Sequence, residues 1–168
     1  MIRSGNLRPL VLFAWLILAG CAISPENPDA VQTADAARAE IWEKELAIFT
    51  GRGQGDISNY LNVASGEYLG WPPVLPSPTS LDSLRASADQ AIALRGEVSN
   101  LTQKGFTLSG DTALMYFLNH RTRLGEGMAD EAQRDVSEYY ENVHVWVRRD
   151  GQWQLVGGFA RKLDAPRE

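Results

Sequence analysis

An α+β fold, with helices gathered on one face of a strongly curved antiparallel sheet of four to six strands, follows from three features of the sequence. Apolar residues recur at helical spacing only ahead of Leu94. From Gly96 onward the period changes to two, the period of a strand. Two short turn sequences, Ser109-Gly110-Asp111 and Asp150-Gly151, then join strand runs into hairpins. Helices followed by strands, rather than alternating with them, define the class. A chain of 168 residues supports one domain with length enough to bury a core.

The first segment stands apart from that domain. Arg3 and Arg8 form a basic start, Leu10 to Leu18 is an apolar run too short to span a membrane comfortably, and Leu18-Ala19-Gly20-Cys21 closes it. The close resembles a bacterial lipobox, which implies a signal peptide over residues 1–20 and lipid attachment at Cys21. A plain secretory signal with an incidental cysteine is the alternative. Cys21 is the only cysteine, so no internal disulfide is available. Loss of residues 1–20 removes two arginines and takes the formal charge from −5 to −7. An acidic domain argues against nucleic acid and against adhesion to anionic lipid, leaving the lipid anchor as the expected membrane contact. Residues 21–33 read as a proline-bearing tether. Among the lipoproteins this start resembles, the absence of Asp after the cysteine favours the outer membrane over the inner, with the domain facing the periplasm.

The first helix is expected from about Ala34 to Thr50, on the spacing of Ile41, Trp42, Leu46, Ile48 and Phe49. Glu45 falls inside its apolar face, with Arg38 and Arg52 on the same line. Such a carboxylate is either an ion pair with one of those arginines or an acid turned toward a cavity. Gly51, Gly53 and Gly55 interrupt the pattern, and Asp56 caps a short second helix holding Ile57, Tyr60, Leu61 and Val63. The glycines follow a helix, and no Lys-Ser or Lys-Thr pair follows them, so they are a poor phosphate loop. Glu67 to Trp71 is a short strand ended by Pro72-Pro73, with Tyr68 and Trp71 at its rim. Ser80 caps a third helix to about Leu94, with Leu81, Leu84, Ala88 and Ile92 facing the core.

Val98–Leu108 and Thr112–Arg123 form the first hairpin, and the run Ala113 to Leu118, apolar on both faces, belongs in the sheet interior. Residues 124–137 are polar and form an exposed connection. The last hairpin spans Tyr139–Leu163. A two-residue turn at Asp150-Gly151 sets Arg148 against Trp153, Trp146 against Leu155, His144 against Gly157, Asn142 against Phe159 and Tyr140 against Arg161. Val143, Val145, Val147, Val156 and Ala160, with Gln154, occupy the opposite face. Since neither face is a charged one, one packs and the other lines a cavity or meets a partner.

The helix break at Gly55-Asp56, the opening Gly110-Asp111-Thr112-Ala113 and the closing Val145-Trp146-Val147-Arg148-Arg149-Asp150-Gly151-x-Trp153-x-Leu155-Val156 resemble the nuclear transport factor 2-like superfamily, in particular its SnoaL-like, ketosteroid-isomerase-like branch. The resemblance covers residues 34–163 and leaves 164–168 as a tail. It implies a cone in which the curved sheet wraps three helices around an apolar pocket, and homodimers through the outer sheet face. It also implies isomerase, cyclase, dehydratase or epoxide-hydrolase chemistry, in which active members place carboxylates or a His-Asp pair on pocket-facing strand positions. The expected pocket face of the last hairpin offers Tyr140, Asn142, His144, Trp146, Phe159 and Arg161, with no carboxylate among them.

His144 and Glu45 are the candidate general bases, and Tyr140 or Tyr116 the candidate hydrogen-bond donor. Trp42, Tyr60, Tyr68, Trp71, Tyr116, Tyr140 and Trp146 are candidate pocket aromatics, with ordinary core packing the competing role. His120 lies near a strand end and is expected in solvent. Two histidines without a cysteine or a convincing carboxylate pair make no metal set, so neither metal nor cofactor is expected. No Gly-x-Ser-x-Gly elbow exists. The favoured reading is a non-catalytic, lipid-anchored module of the cell envelope that binds a small apolar ligand or a protein partner. An enzyme using a pocket Glu or His as base, and a structural homodimer with a filled cone, are the alternatives. Glu45 within ~3 Å of His144 or a pocket tyrosine favours the enzyme, because a base must reach its proton; pairing with Arg38 or Arg52 disfavours it.

Overall fold

The computed structural model describes residues 33–73, 75–124 and 135–164. The signal segment, Cys21, all of the tether but its last residue, most of the 124–137 connection and the tail beyond Asp164 lie outside the described residues.

Helix α1 spans Ala34–Gln54, with the Thr33 hydroxyl accepting from the Ala36 amide and Gly55 ending it at φ 77°. It runs past the expected stop at Thr50 because Gly51 and Gly53 serve close approach rather than interruption. A Cβ on Gly53 would stand 2.2 Å from the Glu97 carbonyl oxygen, and one on Gly51 2.8 Å from that of Asp56. Asp56 accepts from the amide and hydroxyl of Ser58, turning the chain into α2, Ser58–Val63. Strands β1 (Ala64–Trp71) and β2 (Thr79–Ser80) follow, and the Ser80 hydroxyl accepts from the Ser83 amide to start α3, Leu81–Ala86. The expected helix to Leu94 breaks at Ser87 and continues as a 3-10 segment, Ala88–Leu94. At about three residues per turn the inward position passes to Ala91, leaving Ile92 59% exposed.

Strands β3 (Glu97–Ser109), β4 (Thr112–Leu124), β5 (Asp135–Arg149) and β6 (Gln152–Leu163) complete a six-stranded sheet of order β2-β1-β6-β5-β4-β3. The class is α+β, as the sequence implies. Every pairing is antiparallel except β1 beside β6, two strands distant in the chain whose direction no hairpin dictates. The run Ala113 to Leu118 lies in the interior, between β3 and β5.

Asp150 and Gly151 both have positive φ, 51° and 76°, as the mirror-image turn requires. Trp153 lies opposite Arg148 and Leu155 opposite Trp146. A bulge between Val145 and Trp146 then shifts the register by one, setting Gly158 against His144, Ala160 against Asn142 and Lys162 against Tyr140. One residue of shift exchanges the faces. Phe159 and Arg161 therefore stand opposite Val143 and Glu141 on the outer face, while Ala160 turns inward.

Helix α1 packs Ala37, Ile41, Ile48 and Phe49 against Ala113, Met115, Phe117, Trp146 and Leu155 of the inner face. Phe117 receives Trp42 and Phe49 edge-on at 6.1 and 5.7 Å, each contact worth about 0.5–1.5 kcal/mol beyond burial. This packing fixes the helix over the sheet beside the cavity.

Candidate active site

Glu45 reaches from α1 to two side chains of β5, and its own side chain is fully buried. Nδ1–H of His144 donates to it, 2.9 Å from both carboxylate oxygens, and the Trp146 indole N–H donates to Oε1 at 2.9 Å. His144 and Trp146 are two residues apart on one strand, so they project side by side. The expected arginine partners are engaged elsewhere: Arg38 with Asp35 at 3.0 Å, and Arg52 with Glu97 at 3.2 Å. Because a carboxylate only accepts, the neutral ring keeps its proton on Nδ1, and Nε2 carries the lone pair.

The ring is fixed from several sides. Tyr60 stacks on it at 6.4 Å and Phe117 meets it edge-on at 5.2 Å. A Cβ on Gly158 would lie 2.7 Å from its Cδ2 and 2.2 Å from the Val143 carbonyl oxygen, so only glycine leaves the ring its place.

His144 borders a cavity of about 450 Å³, walled by Ile48, Phe49, Ile57, Leu84, Ala91 and Leu94, with the exposed Trp71 and Leu75 beside Pro72 and Pro73. Polar groups enter from Tyr60, Tyr68, Asn119, Arg52, Arg121, Tyr140 and Asn142. The Tyr60 and Tyr68 hydroxyls are 2.5 Å apart. Burial, reinforced by Tyr68, raises the Tyr60 phenol well above the ordinary tyrosine range, and burial raises Tyr68 as well. Both stay protonated near neutral pH. One donates to the other, leaving one O–H for a ligand.

Several expected site residues stand elsewhere. Glu45 is behind His144, outside the cavity wall, and reaches a ligand only through the imidazole. The Tyr140 ring borders the cavity, but its hydroxyl donates to Glu138 at 2.7 Å and accepts from Arg121 at 2.9 Å; burial and Glu138 push its pKa up to about 12. Trp42 belongs to the core against Phe117, and Trp146 is wholly buried behind the wall as a donor to Glu45. Tyr116 lies on the outer face opposite Val143, since even-numbered positions of β4 point outward. Arg161 bonds Glu141 on that face, carried there by the bulge. Phe159, also moved by the bulge and 54% exposed, touches only the cavity border. His120 stacks on Tyr139 at 4.2 Å and bonds Ser137 at 3.0 Å. The cavity thus brings together Tyr60, Tyr68, Trp71, Tyr140, Asn142, His144 and, at its border, Phe159 from the expected set.

Asn119 and Arg121 were not anticipated, although a signal existed. The inner-facing row of β4 reads Ala113, Met115, Phe117, Asn119, Arg121, so its apolar stretch ends in two polar residues directed at the same space.

No family model matches the sequence, and no curated protein does. Solved structures do. A nuclear transport factor 2-like protein of unknown function from Pseudomonas putida KT2440 superposes with TM-score 0.62 at 20% identity, over 77% of this chain and 89% of its own. The fold is nuclear transport factor 2-like. A candidate dehydratase of that family from Streptomyces avermitilis gives TM-score 0.65 at 16% identity, over 79% and 100%. A candidate ketosteroid isomerase from Parabacteroides distasonis gives 0.56 at 13%, over 74% and 86%. At such identities the nuclear transport factor 2-like frame carries architecture, and the chemistry rests on the side chains of this chain.

Proposed function

We propose that this domain binds a small, mainly apolar molecule in the cavity and moves a proton on it, with His144 as general base and then acid. The observation that carries the reading is the buried Glu45 carboxylate, 2.9 Å from the Nδ1 of an imidazole that borders the cavity. Burying such a pair seldom adds stability over an apolar pair of the same volume, whereas it orients a histidine well. Neutral His144 takes the proton at Nε2, and Glu45, the positioning residue, stabilises the imidazolium. The free O–H of the Tyr60–Tyr68 pair is available to an oxygen on which negative charge develops. Isomerisation or loss of water next to a carbonyl matches this set, and two structural neighbours are described as a candidate dehydratase and a candidate isomerase.

The test is solvent exchange: a panel of enones and β-hydroxy ketones incubated with the protein in D2O, with deuterium uptake read by mass spectrometry. Uptake with the wild type and a loss of about a hundredfold or more in His144→Asn are expected. Equal uptake by both proteins contradicts the reading.

In the same reading the chain is exported and held by lipid at Cys21, with the domain in the periplasm at the outer membrane; the support is the order Arg3, Arg8, Leu10 to Leu18, Cys21. A homodimer is supported by the outer face, where Tyr116, Val143 and Phe159 lie side by side in register and the two aromatics are exposed. Binding without turnover is the second reading, favoured because no carboxylate among the described residues borders the cavity.

A further inference from the structure

We infer that the molecule taken up carries a carboxylate, bound by Arg52 and Arg121 at the end of the cavity away from His144. This rests on the cavity being a ligand site, and it names the ligand's class. Both arginines border the cavity, and their acidic partners stand behind them. Glu97, with a side chain only 2% exposed, hydrogen-bonds Arg52 at 3.2 Å and lies 3.5 Å from Arg121 and 3.7 Å from Arg123, so one carboxylate is the ion-pair partner of three guanidinium groups. Glu138 bonds Arg121 but is shared with Lys162 at 2.7 Å. Among the described residues, Arg52, Arg121, Arg123 and Lys162 share Glu97 and Glu138, and of these six groups only Arg52 and Arg121 border the cavity, so its wall carries two guanidinium groups and no carboxylate.

Hydrogen bonding at this end is also unfinished. Buried Nε of Arg52, buried Oε2 of Glu97 behind it and buried Oδ1 of Asn119 have no hydrogen-bond partner among the described residues. Asn119 is 4% exposed, borders the cavity, and stands opposite Tyr140 in register, between Arg121 and His144. A guanidinium with spare donors in a low-dielectric wall matches the two oxygens of a carboxylate, and the asparagine oxygen matches a hydroxyl or N–H further along the ligand.

Two rulers give the ligand's length. His144 and Tyr140, whose hydroxyl meets Arg121, are four residues apart on β5, roughly 13 Å. Glu45, which holds His144, and Arg52 are seven residues apart on α1, roughly 10 Å. Helix and strand agree on an elongated acid whose hydrocarbon body separates the carboxylate from the atom offered to His144.

The test uses the full chain in lipid nanodiscs, with empty nanodiscs as reference. It is titrated with 6-phenylhexanoate and with the neutral 6-phenylhexanamide, and binding is read by saturation-transfer NMR. The acid should bind at least about tenfold more tightly than the amide. Arg52→Gln, which leaves Glu97 with Arg121 and Arg123, should weaken the acid roughly ten- to hundredfold and leave the amide unchanged. Arg38→Gln, which removes only an exposed pair with Asp35, should change neither. Should Arg52→Gln unfold, Arg121→Lys keeps the charge, loses the planar fork and should weaken the acid several-fold. Equal binding of acid and amide by the wild type, or wild-type affinity for the acid in a folded Arg52→Gln, overturns the inference. The acid–base reading is judged apart: acid-selective, Arg52-dependent binding that leaves the His144 nitrogen signals unmoved upholds the carboxylate site and removes the dyad's role. Deuterium uptake by ketones without acid selectivity does the reverse.

Discussion

Replacing Glu45 with glutamine tests the dyad at nearly constant volume. Both groups that reach Glu45, Nδ1–H of His144 and Nε1–H of Trp146, are donors. An amide has one accepting oxygen and one donating nitrogen. If the oxygen serves Trp146, the amide nitrogen faces Nδ1, and the ring must move its proton to Nε2. A charge-assisted bond worth about 1.5–3 kcal/mol is exchanged for a neutral one worth about 0.5–1.5, a net loss of about 1–2 kcal/mol. For a domain of this size that lowers Tm by roughly 4–10 °C. Glu45→Ala, which strands two buried donors, should cost more, about 3–5 kcal/mol. Thermal melts followed by circular dichroism give the stability, and imidazole ¹⁵N shifts give the tautomer. A fall of less than about 2 °C, with the proton still on Nδ1, would refute the pairing.

Other outcomes follow from the same geometry. Gly158→Ala should destabilise by about 1–3 kcal/mol and shift the His144 ring signals, because its Cβ meets a strand carbonyl that cannot yield; a neutral melt counts against the contact. Burial acts to raise the Glu138 carboxyl, but Lys162, Tyr140 and Arg121 outweigh it and hold it at about 2, below the ordinary 4.5. A depressed carboxyl contributes stability above its unfolded value and loses it as pH falls toward the folded one, so wild type should lose stability between about pH 4.5 and 2. Glu138→Gln should flatten that part of the urea-melt profile. Phe159→Glu, on the outer sheet face, should turn a dimer into a monomer in analytical ultracentrifugation without unfolding the domain; an unchanged mass argues against that interface.

Local signals carried most of the architecture. Asp150-Gly151 and Gly110-Asp111 announce turns through their own backbone preferences, and the period change near Gly96 marks where helices give way to strands. What escaped depends on distant partners. The bulge at Val145 moved Phe159, Ala160 and Arg161 across the sheet, and it sits where β1, some eighty residues earlier in the chain, presses so closely that a Cβ on Gly157 would lie 2.2 Å from the Leu69 carbonyl oxygen. The third helix broke at Ser87, where spacing alone is as compatible with an unbroken helix. Helical spacing places Glu45 inside correctly, yet it offers only the arginines of the same helix as partners, while the true partner, His144, lies 99 residues away. Arg52 was legible as a charge near Glu45; that Glu97 would hold it at the cavity edge was a long-range fact.

The most direct measurement is native mass spectrometry of the full chain, purified gently from its own host and released from detergent in the gas phase. A protein that carries a small organic acid in stoichiometric amount, freed on denaturation, is the predicted result, and its structure would show which carbon or oxygen lies near His144. A chain that arrives empty, and whose His144 nitrogen signals ignore every ketone and acid offered, would contradict a ligand-binding acid–base site.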